Sequence, residues 1–133
     1  MYILDTNVVS DAYKGVAEPT RWLERVDRLS VHLSVVTIGE IERGIHMLVR
    51  KNAKKAEAIA DWLGRLRRDN ATRILDVTEE VALRWGRIST TKTRGDADGL
   101  IAATALVHDL TLVTRNVGDF ADTGVRLFNP WQA

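Results

Sequence analysis

The sequence has no cysteine among its 133 residues and no apolar run that approaches the length of a membrane span. Without cysteine the chain has no disulfide framework, no thiolate metal site and no cysteine nucleophile. The first residues also lack the basic and extended apolar regions of a signal peptide. We therefore expect a cytoplasmic protein that makes no contact with a membrane.

Histidine is scarce, and several catalytic signatures are missing. The three histidines fall in a predicted strand (His32), within a helix (His46) and at a helix end (His108), so we expect packing or surface roles for them. No glycine-rich phosphate loop is present. A phosphatase with an aspartyl nucleophile at Asp5 would need a second aspartate two residues later, where the chain has Asn7. A receiver domain would need a paired acid near a strand end and a late lysine, and neither is found.

Length and composition predict a single domain over residues 1–133, because 45% hydrophobic residues are enough for a core. The net charge is only +1, but eight basic and three acidic residues lie between Arg50 and Arg73. Such a stretch is most simply the solvated face of a helix. The alternative is a surface for a polyanion, with Arg65 and Arg68 as candidate RNA-binding residues.

Apolar runs and helical periodicity alternate along the chain. Strands are predicted at residues 2–4, 31–36, 74–77, 111–113 and 125–128. Helices are predicted at 7–14, 19–26, 37–49, 51–69, 79–88 and 96–108, with a single turn at 117–120 and a polar loop at 89–95. The small residues between Ala102 and Ala105 indicate that the helix at 96–108 is well buried. This order predicts an α/β fold with a mainly parallel sheet covered on both faces.

Acidic and amide residues follow four of these strands. Asp5 ends the first strand, Glu40 lies in the first turn of the helix after the second, Asp98 starts a later helix, and Asn116 and Asp119 follow the fourth strand. Positions beyond the carboxyl ends of parallel strands meet at one edge of the sheet. Each residue alone could be structural, as a helix cap, an ion-pair partner or a turn residue. Their joint placement favours a shared site.

Carboxylates brought together repel one another unless they bind protons or a cation. Mg²⁺ is the expected cation, with Mn²⁺ as a possible substitute, because both take oxygen ligands and keep several waters. An acidic site of this kind suits metal-assisted hydrolysis of phosphodiesters.

Four segments carry a resemblance to the motifs of PIN-domain proteins: residues 4–7, 37–44, 98–105 and 114–120. The closing Phe128-Asn129-Pro130-Trp131 resembles the tail of the VapC and FitB toxins of bacterial toxin–antitoxin pairs. The resemblance implies a PIN-like α/β/α sandwich with a five-stranded sheet of order 3-2-1-4-5, and a Mg²⁺-dependent endoribonuclease. The alternative is a catalytically weak PIN-fold module that binds nucleic acid or a partner.

The resemblance also implies site residues. The metal-binding acids of the family fall on Asp5, Glu40 and Asp98. A fourth acidic position falls on Asn116 in some members, and Asp119 is then expected to supply the charge. These four acids are our candidate catalytic and metal-binding residues.

Three further residues are candidates for supporting roles. Asp96 is expected at the rim of the site. The hydroxyls of Thr6 and Thr114 are expected either to orient water or a ligand, or to cap the local backbone.

The partners that the resemblance implies are RNA, a second copy in a homodimer, and a VapB- or FitA-like antitoxin that alone contacts operator DNA. The apolar stripes of the helices at 37–49 and 51–69 could form a groove for an amphipathic antitoxin helix that places an arginine against the acids. The alternative is that these stripes belong to the core or to a dimer contact.

Overall fold

The computed structural model describes residues 1–88 and 94–132, and its centre is a five-stranded sheet. The strands are β1 (Tyr2–Leu4), β2 (Val31–Ser34), β3 (Ile74–Leu75), β4 (Thr111–Val113) and β5 (Leu127–Phe128). Their order is β3-β2-β1-β4-β5, and every neighbouring pair is parallel. The predicted order 3-2-1-4-5 is confirmed, and β1 is the central strand.

Helices cover both faces of the sheet. They are α1 (Thr6–Tyr13), α2 (Ala17–Arg25), α3 (Val35–Leu48), α4 (Ala53–Asp69), α5 (Glu79–Ile88), α6 (Asp96–Val107) and α7 (Val117–Phe120). Single 3₁₀ turns occur at Arg28–Ser30 and Pro130–Gln132. Of the predicted polar loop, residues 89–93 lie outside the described residues.

Two cores form because alternate strand residues point to opposite faces of the sheet. Leu4 and Val113 pack against the buried faces of α1, α2, α3 and α4. Ile3 and Leu112 pack on the other side, against α6 and Phe120 of α7. The predicted α/β/α sandwich is thereby confirmed.

The small residues of α6 explain its close approach to the sheet. Ala102, Ala103 and Ala105 are fully buried, as the sequence predicts. Thr104 is fully buried as well, and its hydroxyl donates to the carbonyl of Leu100 one turn earlier. The helix that carries Asp98 is therefore anchored by its own packing.

The predicted second strand was too long. It ends at Ser34, whose hydroxyl accepts a 3.0 Å hydrogen bond from the backbone N–H of Val36 and so caps α3. The β-branched Val35 and Val36 consequently start the helix, against their local strand preference. Glu40 therefore lies in the second turn of α3, not in the first as predicted.

Other boundaries differ by a few residues. The predicted strands at 74–77 and 125–128 each contain only two strand residues. Thr6 instead of Asn7 begins α1, and α4 begins two residues late at Ala53, behind an Asn52 cap. No helix within residues 1–88 and 94–132 is both long and apolar enough to cross a bilayer.

Candidate metal centre

Asp5 is the most buried of the four candidate acids, with 4% of its surface exposed. Its backbone N–H donates to the carbonyl of Val113 at 2.9 Å, which continues the β1–β4 ladder past the strand end. One carboxylate oxygen accepts from the N–H of Thr6 at 2.8 Å, and the other accepts from the hydroxyl of Thr114 at 2.8 Å. Thr114 in turn accepts from the N–H of Asn116 at 3.1 Å. Residues that directly follow β1 and β4 thus hold this carboxylate in place.

Glu40 is tied to the same edge through Thr6. The Thr6 hydroxyl donates to a carboxylate oxygen of Glu40 at 2.5 Å and lies 2.9 Å from the hydroxyl of Thr37. Since Thr6 has one hydroxyl proton and gives it to Glu40, the fully buried Thr37 is the donor in the second bond. The threonine pair therefore fixes an exposed carboxylate of α3 beside the start of α1.

Asp98 completes the cluster from the other face of the sheet. It is the third residue of α6 and is half-buried. Burial raises the pKa of its carboxyl group, and the charges of Glu40 and Asp119 raise it further, while Arg94 lowers it. Asp98 is thus within electrostatic range of a carboxylate on α3 and of another on α7.

The pKa of Asp5 is raised to about 6, chiefly because the carboxyl group is buried. The hydrogen bond from Thr114 and the N–H of Thr6 oppose the shift, and the charges of Asp98 and Glu40 add to it. Mutual repulsion among carboxylates, which the sequence analysis expected, is thus a property of this edge.

The remaining predicted residues lie around this cluster. Asn116 precedes α7 and is exposed; its side chain forms no capping bond, and its carbonyl accepts from the N–H of Asp119 at 3.0 Å. Asp119 is exposed and interacts with Asp98 through charge. Asp96 is the exposed first residue of α6, a position consistent with the rim of the site.

The oxygen donors at this edge are of the chemical type that a hard divalent cation binds. In the described parts of the chain no three carboxylates or imidazoles form a ready ligand cluster. Beside Asp5, however, the amide oxygen of Asn7 is buried and has no hydrogen-bond partner among the described residues, while its amide nitrogen donates to Asp5 at 3.3 Å. An unpaired acceptor next to repelling carboxylates is the kind of environment that a hydrated, oxygen-ligated cation satisfies.

Arg94 belongs to this site, although the sequence predicts only a polar loop at 89–95. Its side chain is 4% exposed, and its guanidinium donates to Asp122 at 2.5 Å and to the carbonyl of Ile88 at 2.9 Å. Its charge counters the pKa rise of Asp98. The burial of an arginine is rarely recognisable from sequence. The one signal here is a basic residue just before α6, whose first turn contains Asp96 and Asp98.

A groove of about 370 Å³ extends from the acidic cluster along α1, α3 and α4. Its lining begins at Thr6 and Glu40 and continues over Gly44, Lys55 and Trp62, among others. We call it the α3–α4 groove. The groove agrees in place with the one that the apolar stripes of these two helices predict.

The basic stretch divides over the two ends of α4. Lys55, near the start of the helix, lines the α3–α4 groove, whereas Arg65 and Arg68 are exposed and are not among its lining residues. Arg73, which follows α4, donates to the carbonyl of Val31 at the start of β2. The end of α4 that carries Arg65 and Arg68 therefore points toward the amino edge of the sheet.

Comparison with known proteins identifies the fold family. A PIN-domain family model matches residues 2–125. Toxin FitB of Neisseria gonorrhoeae is 38% identical over an alignment that covers 98% of this chain and 99% of the relative. The crystal structure of FitAcB from that organism covers 100% of both chains with a TM-score of 0.91 and 35% identity.

Two further proteins extend the comparison. VapC ribonuclease Y4jK of Sinorhizobium fredii is 31% identical and covers 99% of both sequences. A toxin–antitoxin complex from Klebsiella pneumoniae contains a chain with a TM-score of 0.73 and 26% identity, which covers 98% of this chain and 98% of that one.

The raised pKa of Asp5 predicts a pH-dependent stability. The folded state holds this proton more tightly than the unfolded state, so the stabilisation is fully present below 3.8 and is lost as pH rises through about 6. In a chelator, wild type should lose about 3 kcal/mol of unfolding free energy relative to Asp5→Asn across this range. Urea unfolding at a series of pH values measures the difference. Asp61→Asn, at an exposed position of α4, should follow wild type. Parallel plots of unfolding free energy against pH for wild type and Asp5→Asn would contradict the raised pKa of Asp5.

Proposed function

The chain belongs to the PIN-domain family, and we propose that it is a Mg²⁺-dependent endoribonuclease toxin of the VapC and FitB type. The observation that carries the proposal is the electrostatic coupling of Asp5, Glu40, Asp98 and Asp119 at one edge of the sheet. The ribonuclease name of the relative Y4jK supports the same reaction class. The substrate is RNA, and the bond that is hydrolysed is a phosphodiester.

Asp5, Glu40 and Asp98 would hold the cation, either Mg²⁺ or Mn²⁺. When bound, it offsets the charge of the phosphoryl group and makes a nucleophilic water available at neutral pH. The protein fixes the ligands beforehand: Thr114 and the N–H of Thr6 orient Asp5, and the Thr6 hydroxyl orients Glu40. Such outer hydrogen bonds set the direction of ligand oxygens and their charge.

Asp119 and Asn116 would share the fourth position of the family motif. Asp119 adds negative charge, since it already raises the pKa of Asp98. Asn116, whose exposed side chain is not engaged in capping α7, orients water. Asp96 remains at the rim.

A cognate VapB- or FitA-like antitoxin is the proposed protein partner. The α3–α4 groove supports this because it is mostly apolar at Ile41, Ile45 and Trp62 and reaches Glu40 at one end. An amphipathic segment in the groove would bring an arginine to the carboxylates, with which a guanidinium forms bidentate pairs. Operator DNA would be bound by the antitoxin alone, and the toxin would form a homodimer.

RNA contacts by Arg65 and Arg68 remain a prediction. Their exposure suits phosphate binding, but their end of α4 points away from the acidic cluster. Lys55, by contrast, lines the α3–α4 groove, whose lining also includes Thr6 and Glu40 of the acidic edge.

Asp98→Asn tests the proposed activity. The substitution keeps the side-chain shape and removes a charge, so the cleavage rate with Mg²⁺ should fall by roughly 10²–10³-fold, a loss of several kcal/mol of metal-based stabilisation. Cleavage of a labelled single-stranded RNA by purified protein is the measurement. Thermal unfolding in a chelator should show no loss of stability, and Asp61→Asn should cleave as wild type does.

Full activity of Asp98→Asn would contradict the assignment of Asp98 as a ligand of the cation. No cleavage by wild type with either Mg²⁺ or Mn²⁺ would favour the alternative, a PIN-fold module that binds nucleic acid or a partner without cutting.

Asp119→Ala and Asn116→Ala separate the two roles at the fourth position. Asp119→Ala should raise the Mg²⁺ concentration needed for half-maximal cleavage, because it removes charge from the cation site. Asn116→Ala should lower the maximal rate with a smaller change in that concentration. Magnesium titrations of both variants make the comparison. If only Asn116→Ala changes the metal requirement, Asp119 belongs to the turn.

Gly44→Phe tests the docking groove. A Cβ at Gly44 meets no atom within 4 Å, and Gly44 lines the groove, so we expect the larger side chain to occupy the groove. Antitoxin affinity should fall by at least about tenfold, while the RNA cleavage rate of free toxin changes little. Gly86→Phe is the matched control, since Gly86 is also helical and open but lies on α5. Equal antitoxin binding by both variants would place the partner elsewhere.

A further inference from the structure

The backbone of Arg115 adjoins the acidic cluster, and its guanidinium stacks on an aromatic ring. It directly follows Thr114, whose hydroxyl holds Asp5, so its Cα is about 3.8 Å from that of Thr114. Its guanidinium carbon is 5.2 Å from the ring centroid of Trp131. The residue is exposed, whereas Trp131 is half-buried and packs against the core that includes Trp22.

The C-terminal tail keeps this pair in position. The carbonyl of Phe128 accepts from the N–H of Thr114 at 3.0 Å, and the Asn129 side chain donates to the carbonyl of Arg115 at 3.3 Å. The same Asn129 side chain accepts from the N–H of Trp131 at 2.9 Å. The Asn129 side chain therefore links the backbone of Arg115 to the backbone of Trp131.

Arg115 differs from Arg94 and Arg126 in how its guanidinium is held. Arg94 pairs with Asp122, and Arg126 pairs with Asp109. Across the residues that the structure describes, no ion pair engages Arg115. A guanidinium that stacks on an indole face keeps its in-plane N–H groups available for an acceptor.

An acidic site that acts on RNA repels the phosphates of its own substrate. A cation held at the edge of that site offsets the repulsion, and a planar guanidinium matches two phosphate oxygens. An arginine already ordered by a ring loses less side-chain freedom when it binds than a free one.

We propose that Arg115, positioned by Trp131 and Asn129, binds a phosphate of the RNA strand next to the one that is cleaved. It is a substrate-binding residue that the motif comparison does not assign. The inference rests on the proposed ribonuclease function and adds to it the residue that positions the strand.

The test uses RNA binding separately from cleavage. In the full chain that carries Asp98→Asn, the affinity for a labelled single-stranded RNA is measured by anisotropy over a salt series with Mg²⁺ present. Adding Arg115→Ala should weaken binding roughly three- to tenfold and lower the slope of log affinity against log salt by about 0.7, the value for one lost phosphate contact on a single strand.

Arg126→Ala is the matched control. It removes the same charge from an exposed arginine, but at the amino edge, where Arg126 precedes β5 and pairs with Asp109 before β4. Its salt slope should equal that of the parent. Trp131→Phe should keep most of the affinity, whereas Trp131→Leu should lose a part of it although no charge is removed.

Each result separates this inference from the function on which it rests. If Arg115→Ala binds as Arg126→Ala does while wild type cleaves RNA, the phosphate contact is overturned and the ribonuclease proposal stands. If the Arg115→Ala loss is independent of salt and accompanied by a lower melting temperature, the residue is structural and the inference fails. If wild type neither binds nor cleaves RNA, both fail.

Discussion

The carboxylate of Asp5 is held where the neighbouring strands β1 and β4 end, and the other acids lie around it. Its backbone N–H extends the β1–β4 ladder to Val113, and its side chain accepts from Thr114 beyond β4 and from the N–H that starts α1. These bonds recover part of the cost of burying a charge, but the pKa still rises to about 6. The fold thus places a carboxylate in a position that costs stability unless a proton or a cation is also there.

The neighbouring acids reach the same edge by different routes. Glu40 lies beyond the first turn of α3, and it is brought to the site by the hydroxyls of Thr6 and Thr37. Asp98 is carried by a helix whose alanines let it pack closely on the sheet. A substitution at Thr37 would therefore act on the site without touching substrate, because it changes the orientation of a carboxylate.

Sequence patterns predicted the elements and the gathering of acids because both follow from short apolar runs and from parallel strand ends. They failed where a helix cap overrides strand preference: Ser34 caps α3, and two valines start the helix instead of continuing the strand. They also missed Arg94 and Asn7, since the burial of a charged or amide side chain depends on distant partners such as Asp122. The metal-binding roles of the acids remain predictions, whereas their mutual placement is structural.

Two arginines, Arg94 and Arg115, carry the same charge but are held in different ways. Arg94 is buried, pairs with Asp122 and is close enough to lower the pKa of Asp98. Its charge therefore acts on carboxylates of the protein itself. Arg115 is exposed and ordered by an aromatic ring instead of a carboxylate. Attraction by a ring costs the guanidinium none of its hydrogen-bond donors, whereas a carboxylate occupies them. In the function that we propose, the charge of Arg94 helps to keep Asp98 ionised, and the donors of Arg115 remain available to a phosphate.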